Sequence, residues 1–177
     1  MDSVKKLEIL IQDRLKSLPH LPVNAQKWIA DNIWWMAILG AFGSAIATLA
    51  VVNGVFGYMS FVSNASSYAG FYAVSSYLTG WIWNALIGLL FLAASTVILS
   101  KAVTPLKEHR RLGWDLMFML TLLGAARAFL DAVFTFSFFG FLFGVLFAVL
   151  GLAIGAYLLL EIRSYFVKSN KIVHAKK

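Results

Sequence analysis

Cysteine is absent from the 177-residue chain, which excludes disulfides, thiolate catalysis and Cys-ligated zinc or iron–sulfur centres. Its absence leaves the redox compartment open. Charge is also scarce: Asp, Glu, Lys and Arg make up 13% of the residues and apolar types 60%, a balance far too apolar for a soluble fold. The mean hydropathy of +0.80 points the same way. Acidic residues are the scarcest charged class, 8 against 15 Lys and Arg, and the net +7 would suggest nucleic acid as a partner of a soluble protein. Here the charge flanks apolar runs, so the expected partner is the membrane and not nucleic acid.

Catalytic signatures are missing as well. There is no HExxH, no GxSxG and no phosphate-binding glycine loop. His20, His109 and His174 fall in three separate polar segments without metal-ligand spacing, which reads as solvated side chains. Glu161 and Arg163 are expected at the cytoplasmic end of the last apolar run, far from Asp131 near the outer end of the preceding one, so no pair of carboxylates is expected to converge. No enzyme activity, metal or cofactor is expected. No secretory signal peptide is visible, because the first apolar run begins only near Ile33, behind a charged segment with two prolines.

What the chain does contain is long uncharged stretches. Ile33 to Tyr58 carries no charge over 26 residues, about 39 Å at 1.5 Å per residue against a hydrocarbon core of roughly 30 Å. Trp28, Trp34 and Trp35 mark its start as an interfacial aromatic belt. A second span covers Tyr77 to Ser100, behind an uncharged loop from Met59 to Ser76 whose Phe61, Tyr68, Phe71 and Tyr72 suit the interface. Leu116 to Leu160 is interrupted only by Arg127 and Asp131 and is too long for one crossing. A hairpin near Thr135-Phe136-Ser137-Phe138 divides it into spans of about Trp114 to Phe134 and Phe139 to Leu160. The expected fold is an all-α membrane protein, a four-transmembrane-helix bundle spanning residues 24–177 with a basic C-terminal tail. Ahead of it, residues 1–23 read as an N-terminal amphipathic helix and a Pro-containing linker. In that helix Val4, Leu7, Ile11, Leu15 and Leu18 form an apolar stripe, ended by Pro19 and Pro22.

Basic residues set the orientation. Five precede span one, four join spans two and three, and five follow span four, so 14 of 15 fall on one side and only Arg127 does not. By the positive-inside rule that side is the cytoplasm, with both termini in it. Asn64-Ala65-Ser66 on the other side is a formal glycosylation sequon, a tripeptide that is frequent by chance.

Arg127 and Asp131, four residues apart, share one face of span three and are spaced to pair. A charge in hydrocarbon costs at least about 2.5–3.5 kcal/mol on insertion scales, which marks such residues for function. Asn84 and Asn53 fall at similar depth, so the four outline a polar layer in the outer half of the bundle. That layer is read either as a solute or ion pocket or as a structural network joining helices. Small residues recur at four-residue spacing: Gly140 and Gly144 continued by Ala148, Gly151 and Gly155, and Gly124, Ala128 and Ala132. They suit close helix packing, within one bundle or between copies in a homo-oligomer.

At Leu18-Pro19-His20-Leu21-Pro22, Arg111-Leu112-Gly113-Trp114-Asp115-Leu116 and Glu161-Ile162-Arg163-Ser164-Tyr165-Phe166, the chain resembles uncharacterised small bacterial four-span integral membrane proteins. The resemblance implies a bacterial cytoplasmic membrane and brings no activity, cofactor or catalytic residue. The functional expectation is a non-enzymatic scaffold or accessory subunit whose basic face meets membrane lipids or a membrane-protein partner. The alternative is a transporter or channel component that uses the polar layer.

Overall fold

The computed structural model describes residues 19–65, 71–134 and 138–174, with side chains over 19–64, 82–134 and 139–166. Four helices make up the described residues: α1 (Val23–Ala65), α2 (Phe71–Lys107), α3 (Arg111–Phe134) and α4 (Phe138–His174). The expected amphipathic helix before Pro19 lies outside the described residues. All four helices are long and apolar enough to cross a membrane, and the chain is an all-α, multi-pass membrane bundle.

The helices outrun the spans read from hydropathy. α1 has 43 residues and α2 has 37, so most of the expected Met59–Ser76 loop is helix: Met59–Ala65 extends α1 and Phe71–Ser76 opens α2. Met59 to Ala65 holds no proline or glycine, so nothing in it stops α1, and helix formation needs only internal hydrogen bonds. Asn64 accordingly sits on helix, its side-chain amide donating to Ser60 O at 3.0 Å. α3 stops at Phe134 and α4 starts at Phe138, so a break stands where the hairpin was expected; its residues 135–137 lie outside the described ones.

Neighbouring helices run antiparallel. Gly40 packs on Leu99, and Ser44 Oγ lies 2.8 Å from Thr96 Oγ1, which sets the α1–α2 register. Gly144 packs on Ala132 and Gly155 on Thr121, which sets that of α3 and α4. Each helix packs on the next, α1 also reaches α4, and among the described residues the backbones of the diagonal pairs α1–α3 and α2–α4 do not approach closely.

The turn from α2 to α3 explains how two long helices reverse within three residues. Arg110 N donates to Pro105 O at 2.8 Å and His109 N to Leu106 O at 3.0 Å, the two bonds of a Schellman cap. His109 takes the left-handed position at φ 52°, a conformation that glycine adopts without strain and other residues do not. Its ring compensates: Nε2 donates to Asp31 Oδ1 at 3.1 Å and the imidazole stacks on Phe166 at 5.5 Å. Immediately after the turn Gly113 is required sterically, since a Cβ there would stand 2.6 Å from Leu106 N and 2.9 Å from Pro105 C.

The buried core is concentrated at one end. Ala30, Ile33 and Ala37 of α1 meet Leu99, Ala102 and Leu106 of α2, Trp114 and Phe118 of α3, and Leu159, Ile162 and Phe166 of α4. This is the end that carries Lys27, Lys101, Lys107, Arg110, Arg111 and Arg163, here called the basic end. Toward the other, distal end, large apolar side chains face outward, among them Leu39, Phe42, Leu49 and Phe56 on α1 and Phe139, Phe143 and Phe147 on α4. In water such a surface would cost about 25 cal/mol for each Å² left exposed; against lipid tails it costs nothing, which accounts for a bundle with so small a core.

Candidate functional sites at the basic end and in the membrane interior

Two groups of polar side chains stand out, one at each level of the bundle. At the basic end Glu161, on α4, is 8% exposed and accepts three hydrogen bonds. His20 Nδ1 donates to Oε1 at 2.7 Å, while Leu21 N and Gln26 Nε2 donate to Oε2 at 3.0 and 2.8 Å. Gln26 Nε2 also donates to Leu21 O at 3.0 Å, and the Tyr157 hydroxyl donates to Pro19 O at 2.5 Å. The two prolines bring this about: Pro19 and Pro22 lack N–H groups and keep residues 19–22 out of helix, so the Leu21 amide has no helical acceptor and turns to a carboxylate. One acidic side chain thus ties the segment that opens α1 to the basic-end part of α4 and closes the ring of helices at this end.

Beside it, Trp114 is 1% exposed and donates its indole N–H to Leu159 O at 2.6 Å. Phe118 stacks on it at 5.2 Å and the Arg111 and Arg163 guanidinium carbons lie 4.8 and 5.8 Å from its ring centroid. Arg111 also donates to Asp115 at 2.9 Å. A tryptophan held between two cations contributes through both burial and the attraction of a cation to a π face, about 0.5–2 kcal/mol per contact.

The second group is the expected polar layer, and the structure brings three of its four members together. Arg127 Nη2 donates to Asn84 Oδ1 on α2 at 2.6 Å and pairs with Asp131 Oδ1 one turn along α3 at 2.5 Å. The guanidinium carbon also lies 5.9 Å from the Phe91 ring centroid. Asn53 stands on α1, exposed, and does not join them. Next to Arg127 a cavity of about 700 Å³ opens between α1, α2 and α3. Asn84, Gly88, Phe91 and Arg127 form one wall, and Ala50, Val51 and Gly54 the other.

The small residues divide by partner. Gly144 and Gly155 serve packing inside the bundle, since a Cβ on either would come within 2.7 Å of Ala132 or 2.9 Å of Thr121. Gly124 and Gly151 meet nothing within 4 Å, and with Ala128 they line a smaller groove of about 340 Å³ between α3 and α4. Gly140 stands in the first turns of α4, where Phe139 and Phe141 flank it.

His20 and His109 are more than solvated side chains, because each bonds a carboxylate even though the His20 side chain stays 75% exposed. The role of Glu161 is hidden in the sequence because its partners stand 135 to 141 residues away. The one local signal is an acidic residue at the end of an apolar run, in a chain whose non-helical Pro-x-x-Pro segment has an amide to satisfy. Among the described residues, no three His, Asp or Glu side chains gather as a metal-binding group. The chain matches no protein-family model, no curated protein and no solved structure.

Proposed function

We propose that the protein is a non-enzymatic scaffold or accessory subunit of a bacterial cytoplasmic membrane, with its basic end in the cytoplasm, and that this end holds anionic lipid headgroups or an acidic partner surface. The observation that carries the reading is the combination of a packed core and exposed positive charge at one end. Lys27, Lys101, Lys107 and Arg110 are exposed there, around a core locked by Trp114 and Glu161. Each such cation is worth about 1 kcal/mol near anionic lipid. The apolar stripe from Val4 to Leu18, interspersed with Lys5, Lys6, Arg14 and Lys16, supports the same reading from sequence.

The cavity beside Arg127 favours a second reading, a transporter or channel component. Two features weigh against a conduit: Arg127 is already bonded to Asn84 and Asp131, and the basic end below the cavity is filled by Leu106, Trp114, Phe118, Ile162 and Phe166.

The test pairs orientation with lipid retention. In spheroplasts, an impermeant thiol reagent is expected to label Ser66→Cys and Ser137→Cys and to spare Ser3→Cys and Ser169→Cys. In native mass spectrometry, the purified protein is expected to retain phosphatidylglycerol over phosphatidylcholine, with the preference lost when Lys27, Lys101, Lys107 and Arg110 are all changed to Gln. Reversed labelling, or equal retention by the wild type, refutes the reading.

A further inference from the structure

We propose that the cavity between α1, α2 and α3 is a lateral binding site for a neutral, carbonyl-bearing lipid, of the diacylglycerol kind, whose ester oxygens accept hydrogen bonds from Arg127 and Asn84. The inference stands apart from the basic-end reading, because it concerns the other level of the bundle.

At about 700 Å³ the cavity lies within the range of about 300–1,000 Å³ usual for small-molecule sites. Its walls are apolar apart from Ser95, whose hydroxyl donates to Phe91 O at 2.7 Å, and one polar corner: Val51, Phe91, Leu92 and Leu123 would pack a hydrocarbon chain, while Asn84 and Arg127 stand together. Among the described residues the backbones of α1 and α3, diagonal in the bundle, do not approach closely, and the cavity occupies the space left between them beside α2.

The chemistry of the corner selects the head. Arg127 spends Nη2 on Asn84 Oδ1 and Asp131 Oδ1, which leaves Nε–H and the two Nη1–H donors. With its oxygen turned to the guanidinium, Asn84 presents its NH₂ as a further donor. The corner therefore offers donors, and the matching head is an acceptor. Asp131 already balances the charge of Arg127 at 2.5 Å, so an anionic head would bring an uncompensated charge into a low-dielectric region, whereas an ester carbonyl brings none.

Depth agrees with a head that lacks phosphate. Arg127 lies seven residues before the end of α3 at Phe134, about 10 Å at 1.5 Å per residue. A phosphate at that depth would leave the headgroup layer, while an ester of diacylglycerol reaches it without carrying charge inward.

The experiment uses the full chain in phosphatidylcholine nanodiscs and a diacylglycerol with a diazirine in one acyl chain. Photolabelling is read on peptides of α1 and α2 near Val51 and Leu92, which the smaller α3–α4 groove does not contain. Labelling is expected to saturate and to fall at least tenfold with excess dioleoylglycerol, but not with equal hexadecane or oleate. Gly124 lines this cavity as well as the smaller groove, so Gly124→Leu should reduce labelling at least tenfold and Gly124→Ala should preserve it; a Cβ at Gly124 meets nothing within 4 Å, so the Ala change should leave the fold intact, and the melting temperature checks the Leu variant. Equal competition by hexadecane would mean an apolar gap without head recognition, and stronger competition by oleate would mean an anionic head. Either result, or labelling that does not saturate, or a Gly124→Leu variant that labels like wild type with unchanged melting temperature, overturns the proposal.

Discussion

Replacing Glu161 by Ala removes the acceptor of three hydrogen bonds at once. The His20 bond is exposed and adds little, since ion pairs in contact with water are worth about 0–1 kcal/mol. The bonds from Leu21 N and Gln26 Nε2 are part-buried, and a hydrogen bond to a charged acceptor is worth about 1.5–3 kcal/mol. Taking the low end for each, Glu161→Ala should cost about 3 kcal/mol, or roughly 6–12 °C in melting temperature for a chain of this length. The assay is thermal unfolding of the purified protein in maltoside detergent, repeated in nanodiscs. Glu161→Gln keeps a carbonyl acceptor and a similar shape, so it should lose less than half as much. Gln26→Ala combined with Glu161→Ala should cost less than the sum of the two, because both changes break the same bond. A Glu161→Ala protein melting within about 2 °C of wild type, the shift expected from less than 1 kcal/mol, would refute the claim that this carboxylate ties α1 to α4.

Asp131→Asn should destabilise more than the double change Arg127→Gln with Asp131→Asn, because the single change leaves the Arg127 charge uncompensated; a double-mutant cycle on melting temperature is expected to show coupling above about 1 kcal/mol, and additive effects would mean that the pair does not interact. Gly144→Ala should lower stability by about 1–3 kcal/mol because its Cβ would press within 2.7 Å of Ala132, while Gly151→Ala should be neutral or gain up to about 1 kcal/mol from helix propensity; equal effects in the same melting assay would contradict the α3–α4 register.

Part of the bundle was legible in the sequence because the signals are local. Uncharged runs of membrane-crossing length, the break between Phe134 and Phe138, and the alternation that puts Lys27, Lys107, Arg111 and Arg163 at one end follow from hydropathy and chain direction alone. The Arg127–Asp131 pair follows from four-residue spacing on one helix. Which faces meet was not legible. All four helices are apolar around their circumference, so no polar stripe indicates the side that turns inward, as it would in a helix packed in water. The tertiary structure therefore decided that Asn84 faces Arg127 while Asn53, at similar depth, faces out. It decided that Gly144 packs and Gly151 does not, that Glu161 receives the linker from the far end of the sequence, and that a cavity remains between α1, α2 and α3. Each of these depends on helix rotation and register, which are set by side-chain fit across helices and by steric limits such as Gly113 against Leu106, and not by hydropathy.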